Sequence, residues 1–268
     1  MIKIIEIKAK EIFTKTKLEA DYVINPYVGC GHNCLYCYAK FIARWRPIEY
    51  GKWGTWVEAK INGPELAKDR KVKGTVFMSS ICDAYQPIEK ELKFTRKILE
   101  NLDKNAKLSI LTKSDLVLRD IDILKQFKNI EVGLTINSFI GKTKNIFEPG
   151  APENQQRISA LQRLKEQGIK TYAFVSPIIP ELIASPAGAL AKEGLQDIIN
   201  KTRNFVDYYW FEFLNLRGAG KEFAQVLQKE FPQSYKIVSN EILYKDFIDK
   251  TKEEISSFNI KVREIVKH

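Results

Sequence analysis

The sequence predicts an α/β fold: a partial (β/α)6 barrel of the TIM type, with a cysteine-rich loop near its start and a helical extension at its C-terminus. Three observations predict it. Strand-length apolar runs alternate with amphipathic helix-length runs through six units. A helix that carries the chain back to begin each new strand in the same direction makes the sheet parallel and the crossovers right-handed. No glycine-rich dinucleotide loop follows the first strand, as a doubly wound open sheet would place there; that position holds NPYVGCGHNCLYCYAKF, residues 25–41. Polar residues also recur where the strands end, the rim at which such folds assemble their sites.

In chain order, DYVINPYV is the first strand and CYAKFIARW the first helix, with the cysteine loop between them. GTVFMSSI and KELKFTRKILENL make the second unit, and KLSILTKS and LRDIDILKQF the third. IEVGLTIN and ENQQRISALQRLKEQG form the fourth, the helix stopping at Gly168, and IKTYAFVSPI is the fifth strand. After the loop IPELIASPAGA come the helix LQDIINKTRNF, the strand YYWFEFLN and the helix KEFAQVLQKEF. The barrel is expected over about residues 21–231. Residues 232–268 have helical periodicity and are expected to pack outside the sheet. No linker, repeat or low-complexity segment divides the chain, so residues 1–268 are expected to form one domain.

At 268 residues and 44% hydrophobic content the chain can bury a sizeable core. No apolar run approaches the roughly 18 residues that span a bilayer. The start, MIKIIEIKAKEIF, alternates charge with isoleucine where a signal peptide would be uniformly apolar. A cytoplasmic chain without membrane contact is expected. Four cysteines in a chain of this length do not make a disulfide scaffold. The net charge of +10 favours an anionic partner, with nucleic acid the first candidate, although scattered lysines equally describe a solvated surface.

Three of the four cysteines stand as Cys30-x3-Cys34-x2-Cys37. Three thiolates can bind three irons of a cubic 4Fe-4S cluster and leave the fourth iron free for a ligand. Gly29 and Gly31 allow the tight curl such a loop needs. His32 can support the loop by hydrogen bonding, but a solvated loop histidine is the favoured reading. The competing reading is a tetrahedral zinc site on Cys30, Cys34, Cys37 and Cys82. On the same rim fall Cys82 and Asp83 after the second strand, Lys113 after the third, Thr135 and Asn137 at the fourth, Ser176 at the fifth and Glu212 at the sixth.

The loop resembles the CxxxCxΦC signature of the radical S-adenosylmethionine superfamily, with Tyr36 in the aromatic place. KWGTWVEAKING, MSSICDAYQPIEKELKFT, LTKS, FEPGAPENQQRISALQRLKEQGI and FLNLRG resemble the subgroup related to spore photoproduct lyase, over about residues 21–218. The resemblance implies one 4Fe-4S cluster, reductive cleavage of S-adenosylmethionine to methionine and a 5'-deoxyadenosyl radical, and a one-electron reductant such as ferredoxin or flavodoxin. For the nucleotide, the methionine carboxylate is expected at Lys113, Thr135 or Arg157 and the amino group at Asp83. Ribose and adenine are expected at Tyr36, Asn137, Glu212 or strand-edge backbone groups. The superfamily's glycine-rich motif after the second strand is replaced by SSICDAYQP. Cys82 lies near the place of the hydrogen-donor cysteine of spore photoproduct lyase, displaced by a couple of positions, and Tyr85 is expected to relay a radical or line the pocket. The function expected is a radical enzyme that repairs or modifies a nucleic acid. The alternatives are a non-catalytic zinc-stabilised nucleic-acid-binding protein and a radical maturase of a peptide or protein.

Overall fold

The computed structural model describes residues 2–68, 70–182 and 194–267. Its strands in chain order are β1 (Lys3–Ile7), β2 (Phe13–Lys15), β3 (Tyr22–Ile24), β4 (Tyr27–Val28), β5 (Trp56–Lys60), β6 (Thr75–Met78), β7 (Lys107–Thr112), β8 (Asn129–Ile136), β9 (Lys170–Ile178), β10 (Tyr208–Phe213) and β11 (Val262–Val266). One sheet runs β11-β10-β9-β8-β7-β6-β3-β2, parallel throughout except for β2 at one edge. Each of the six expected strands contributes to it.

Alternation along the strands sorts the side chains into two layers. On β8, Val132, Leu134 and Ile136 enter the main apolar core with Ile158, Leu161 and Leu164 of the following helix. Glu131, Gly133 and Thr135 take the opposite, inner face. A side chain at Gly133 would overlap the Tyr172 ring, with Cβ 2.1 Å from its nearest carbon. The bare backbone therefore lets Tyr172 lie across the interior and stack on Tyr208 at 5.0 Å. At the amino end of the sheet, Arg263 of β11 reaches Glu131 and Glu19, both at 3.0 Å. Glu19 belongs to the turn between β2 and β3, so this ion pair draws the two sheet edges together without a backbone ladder joining them.

The helical layer contains α1 (Gly63–Ala67), α2 (Glu89–Leu92), α3 (Phe94–Asn101), α4 (Ile121–Leu124), α5 (Gly141–Phe147), α6 (Asn154–Glu166), α7 (Leu195–Thr202), α8 (Leu216–Glu230), α9 (Pro232–Val238) and α10 (Glu241–Ser257). Among the described residues no helix is long and apolar enough to cross a membrane. Residues 183–189 of the expected IPELIASPAGA loop, and 190–193 after it, lie outside the described residues.

Three elements differ from expectation. The first strand divides at Pro26, whose missing N–H cannot continue a ladder. β3 stays in the large sheet, whereas β4 pairs with β5 in a small sheet ordered β1-β5-β4. The Asn25 side chain bridges the break, its Oδ1 accepting from the Ser80 and Ile81 N–H groups at 2.9 and 3.1 Å. The first helix is a 3-10 helix, Tyr38–Trp45. Finally, residues 232–268 are helical only through α10 and then form β11, a seventh parallel strand paired with β10. That segment, VREIV, carries the β-branched residues suited to a strand.

Candidate functional site

The cysteine loop leaves β4 through Gly29, whose φ of +88° and proximity to Trp56 admit only glycine; an added Cβ would lie 2.6 Å from the Trp56 carbonyl oxygen. Successive turns close from Asn33 N–H to Cys30 O at 3.2 Å and from Cys37 N–H to Cys34 O at 3.1 Å. Buried Gln86, from the loop after β6, brackets Cys30: its amide donates to Gly29 O at 3.1 Å and its carbonyl accepts from Gly31 N–H at 2.7 Å. All three loop thiols are free. Burial pushes the Cys34 thiol up to about 12 despite the nearby Lys113 ammonium, and it raises Cys30 well above its ordinary value. Binding of a metal group would therefore have to displace protons.

A second loop, after α5, is seated on the first. Leu35 N–H donates to Phe147 O at 2.8 Å, and Gly150 N–H donates to His32 O at 3.0 Å. Gly150 permits this approach because its Cβ would lie 2.3 Å from the Gly31 carbonyl oxygen. Gly150→Ala is expected to cost about 1–3 kcal/mol by overpacking and to lower iron retention. Urea unfolding and iron analysis check this, and unchanged values for both would remove the seating role.

His32 is 2% exposed, not the solvated residue expected, with Nδ1 3.3 Å from Asp83 Oδ2. Asp83 also accepts from Tyr85 N–H at 2.9 Å, Thr112 Oγ1 at 2.6 Å and Lys113 N–H at 2.8 Å. Burial alone would raise its pKa, but His32 and these donors outweigh burial and hold the carboxyl below the usual range. Asp83 thus ties the ends of β6 and β7 to the cysteine loop. With both oxygens engaged, it is a positioning residue and not the open acceptor expected for an amino group.

Glu148 was not singled out from sequence, yet it organises the other side of the site. Fully buried, it accepts from the Tyr36 hydroxyl, from Asn137 Nδ2 at 3.0 Å and from the Arg157 guanidinium. Arg157 also donates to Thr135 O at 3.1 Å and to Pro152 O at 2.7 and 3.0 Å. Arg157 and Asn137 therefore hold the site's shape, where the sequence had suggested direct nucleotide contacts. Asn137 is further occupied by Phe139 N–H at 3.1 Å and Asn154 Nδ2 at 2.9 Å.

Lys113 sits with its ammonium 5.6 Å from the centre of the Tyr36 ring. Burial would lower its pKa, but Cys34 and Glu148 more than compensate, so the group stays cationic. Thr135 lies buried on the inner face of β8. Glu212 of β10 accepts from Ser176 Oγ at 2.7 Å. The structure thus brings Cys34, Tyr36 and Lys113 together. Ser176 and Glu212 pair at the ends of adjacent strands.

Cys82 and Tyr85 pack in apolar clusters separate from those of Cys30, Cys37 and Tyr36. Cys82 packs against Tyr27, Val57, Ala59 and Ile88, with its sulfur 3.8 Å from Asn25 Oδ1. The loop thiols Cys30 and Cys37 belong to a separate apolar cluster with Trp53 and Trp56. Cys82→Ala is therefore expected to keep cluster iron and S-adenosylmethionine cleavage within about twofold of wild type, well short of the roughly 10–100-fold loss that follows removal of a group hydrogen-bonded to a metal ligand. Loss of metal would make Cys82 a ligand after all. Tyr85 is fully buried within the main core, near Glu89, Arg119 and Asp120, and it lines a cavity with His32, Ser114 and Gly150.

Comparison with known proteins agrees with this geometry. The sequence profile of the Radical SAM superfamily matches residues 24–186. The uncharacterized protein MJ0683 of Methanocaldococcus jannaschii is 50% identical over 268 residues, covering 100% of this chain and 98% of that one. The uncharacterized protein ORF301 of Acidianus two-tailed virus is 31% identical over 224 residues, 79% of this chain and 73% of the other. Among solved structures, spore photoproduct lyase complexed with dinucleoside spore photoproduct shares the fold with a TM-score of 0.67 at 16% identity, over 98% of this chain and 81% of that one. A spore photoproduct lyase mutant with bound AdoMet and dinucleoside spore photoproduct has a TM-score of 0.58 at 17% identity, over 85% of this chain and 66% of that one. With the superfamily profile spanning more than half of the chain, from the cysteine loop through β9, the chain belongs to the Radical SAM superfamily.

Proposed function

We propose that Cys30, Cys34 and Cys37 hold a 4Fe-4S cluster, that the chain uses it to cleave S-adenosylmethionine, and that the resulting radical acts on a nucleic acid. The observation that carries this reading is the buried cysteine loop at the carboxyl end of a parallel sheet, with Tyr36 and cationic Lys113 beside Cys34. The donor set fits a cluster. Tetrahedral zinc would need every sulfur about 2.3 Å from one point. The three loop thiols leave a structural zinc one ligand short, because Cys82 packs in a different apolar cluster. A cubane instead spreads three thiolates over three irons.

When bound, the cluster supplies one electron that splits the sulfonium into methionine and a 5'-deoxyadenosyl radical. The chain's own groups orient the nucleotide. The Lys113 ammonium, steadied over the Tyr36 ring, is the donor for the methionine carboxylate. Glu212, paired with Ser176, is the acceptor for ribose hydroxyls. Glu148, Arg157, Asn137 and Asp83 hold these groups in place.

The nucleic-acid part is supported by the charge of +10 and by the fold shared with a lyase solved with a dinucleoside. Binding of a labelled single-stranded oligonucleotide is expected to weaken with salt, log K falling against log salt by about 0.7 per phosphate contacted. A flat response, or no binding at low salt, would discard the nucleic-acid part and leave S-adenosylmethionine cleavage standing.

A further inference from the structure

The 3-10 helix Tyr38–Trp45 begins one residue after Cys37. Its inner residues Ala39 and Ile42 pack with Val28, Cys30, Trp53 and Trp56, so the helix forms an outer wall of the cysteine loop. Its other face is bare. Tyr38, Phe41 and Trp45, with Ile48 just beyond, are 51%, 38%, 69% and 97% exposed. Nowhere else among the described residues do as many large apolar side chains stand exposed along so short a stretch. Such a patch on a folded chain marks a contact surface.

The patch is held firmly. The Tyr38 hydroxyl donates to Ser80 O, Lys40 pairs with Glu222 at 3.2 Å, and Arg46 pairs with Glu58 at 2.8 Å. Exposed Arg44 and Lys52 have no ion-pair partner among the described residues, and the Lys3 ammonium stands over Tyr50 at 5.2 Å. The exposed acid in the same stretch is Glu49. An apolar centre with a cationic rim is complementary to an acidic protein surface.

We propose that this face docks an acidic protein that carries one electron to the cysteine loop, an inference that rests on the loop holding a redox cluster. Only one helix wall separates the patch from Cys30 and Cys37, which is where a carrier must come close. Electron-transfer encounters use small contacts, under about 1,200 Å², which suits a surface of this extent. Nucleic acid suits it less well. Phe41 and Trp45 meet edge-on at 79° with centroids 5.3 Å apart, so they offer no run of parallel faces for successive bases, and Ile48 has no π face. In the encounter the carrier's reduced centre is oxidised by one electron and the chain's cluster is reduced by one. No bond is made or broken.

The test compares reconstituted wild type with Arg44→Glu and with the double variant Trp45→Ser/Ile48→Ser, driven either by flavodoxin hydroquinone or by dithionite, which needs no docking surface. Flavodoxin-driven 5'-deoxyadenosine formation should fall about tenfold or more, as expected when central interface residues are lost, with dithionite-driven formation unchanged. A titration of oxidised flavodoxin, followed by nuclear magnetic resonance line broadening, should show the same loss of affinity independently of turnover. Unchanged flavodoxin binding would overturn the docking site. So would an equal loss with dithionite, which would make the patch a support of the loop. Loss of oligonucleotide binding, or of self-association, with flavodoxin binding intact would assign the face to those partners instead. Absence of 5'-deoxyadenosine from wild type even with dithionite would overturn the cluster reading itself, and the titration would still report separately on docking.

Discussion

Cys34→Ala should abolish both the iron content of the reconstituted chain and its formation of 5'-deoxyadenosine, while leaving the apoprotein folded. Cys34 is buried between Cys30 and Cys37 in sequence, its thiol is influenced by Lys113, and the turn closed by Cys37 N–H onto Cys34 O places it at the centre of the loop. Removing a ligand should cost more than the roughly 10–100-fold that loss of a supporting residue costs. Iron and sulfide analysis with chromatographic detection of the nucleoside checks the first part. Thermal unfolding of the two apoproteins checks the second. Iron retained at the wild-type level would take Cys34 out of the ligand set.

Arg157→Met should be the most destabilising substitution outside the loop. Arg157 and Glu148 are both fully buried, so the variant strands a carboxylate that keeps only the Tyr36 hydroxyl and Asn137 as donors. Breaking a buried pair from one side costs about 3–5 kcal/mol, a large share of the 5–15 kcal/mol that holds a domain together. Burial opposes ionisation of Glu148, but Arg157 and Lys113 overcome it and keep the carboxyl below its ordinary range. Urea unfolding should show the loss, and Arg157→Met/Glu148→Met should recover part of it because no charge is then left unpaired. Equal stability of the single and double variants would mean the two residues act independently. The single variant should also bind S-adenosylmethionine more weakly, since the Glu148 contact to Tyr36 positions the ring beneath Lys113.

Much of this was legible in the sequence because its signals are local. Strand alternation, helix periodicity and the cysteine spacing are each read within a short window, and all six expected strands lie in the parallel sheet. What escaped depends on distant contacts. His32, between Gly31 and Asn33, looks like a solvated loop residue until Gly150 and Asp83 close over it. Glu148 sits in FEPG, a segment noticed for its resemblance but given no role. The flanking Phe147 and Pro149 were the available hint that its carboxylate faces inward. Arg157 on a helix cannot be told from a surface charge until Glu148 and the Thr135 and Pro152 carbonyls are placed around it. The final strand was missed because five residues after a charged helix carry too little periodicity to separate strand from helix.

Whether the three-cysteine loop supports reductive cleavage of S-adenosylmethionine is decided by a single reconstitution experiment. Anaerobically reconstituted wild-type chain is mixed with dithionite and S-adenosylmethionine, with metal analysis of the same sample. The expected result is about four irons and four sulfides per chain, with 5'-deoxyadenosine and methionine appearing in equal amounts. One zinc per chain, no iron and no 5'-deoxyadenosine would contradict it.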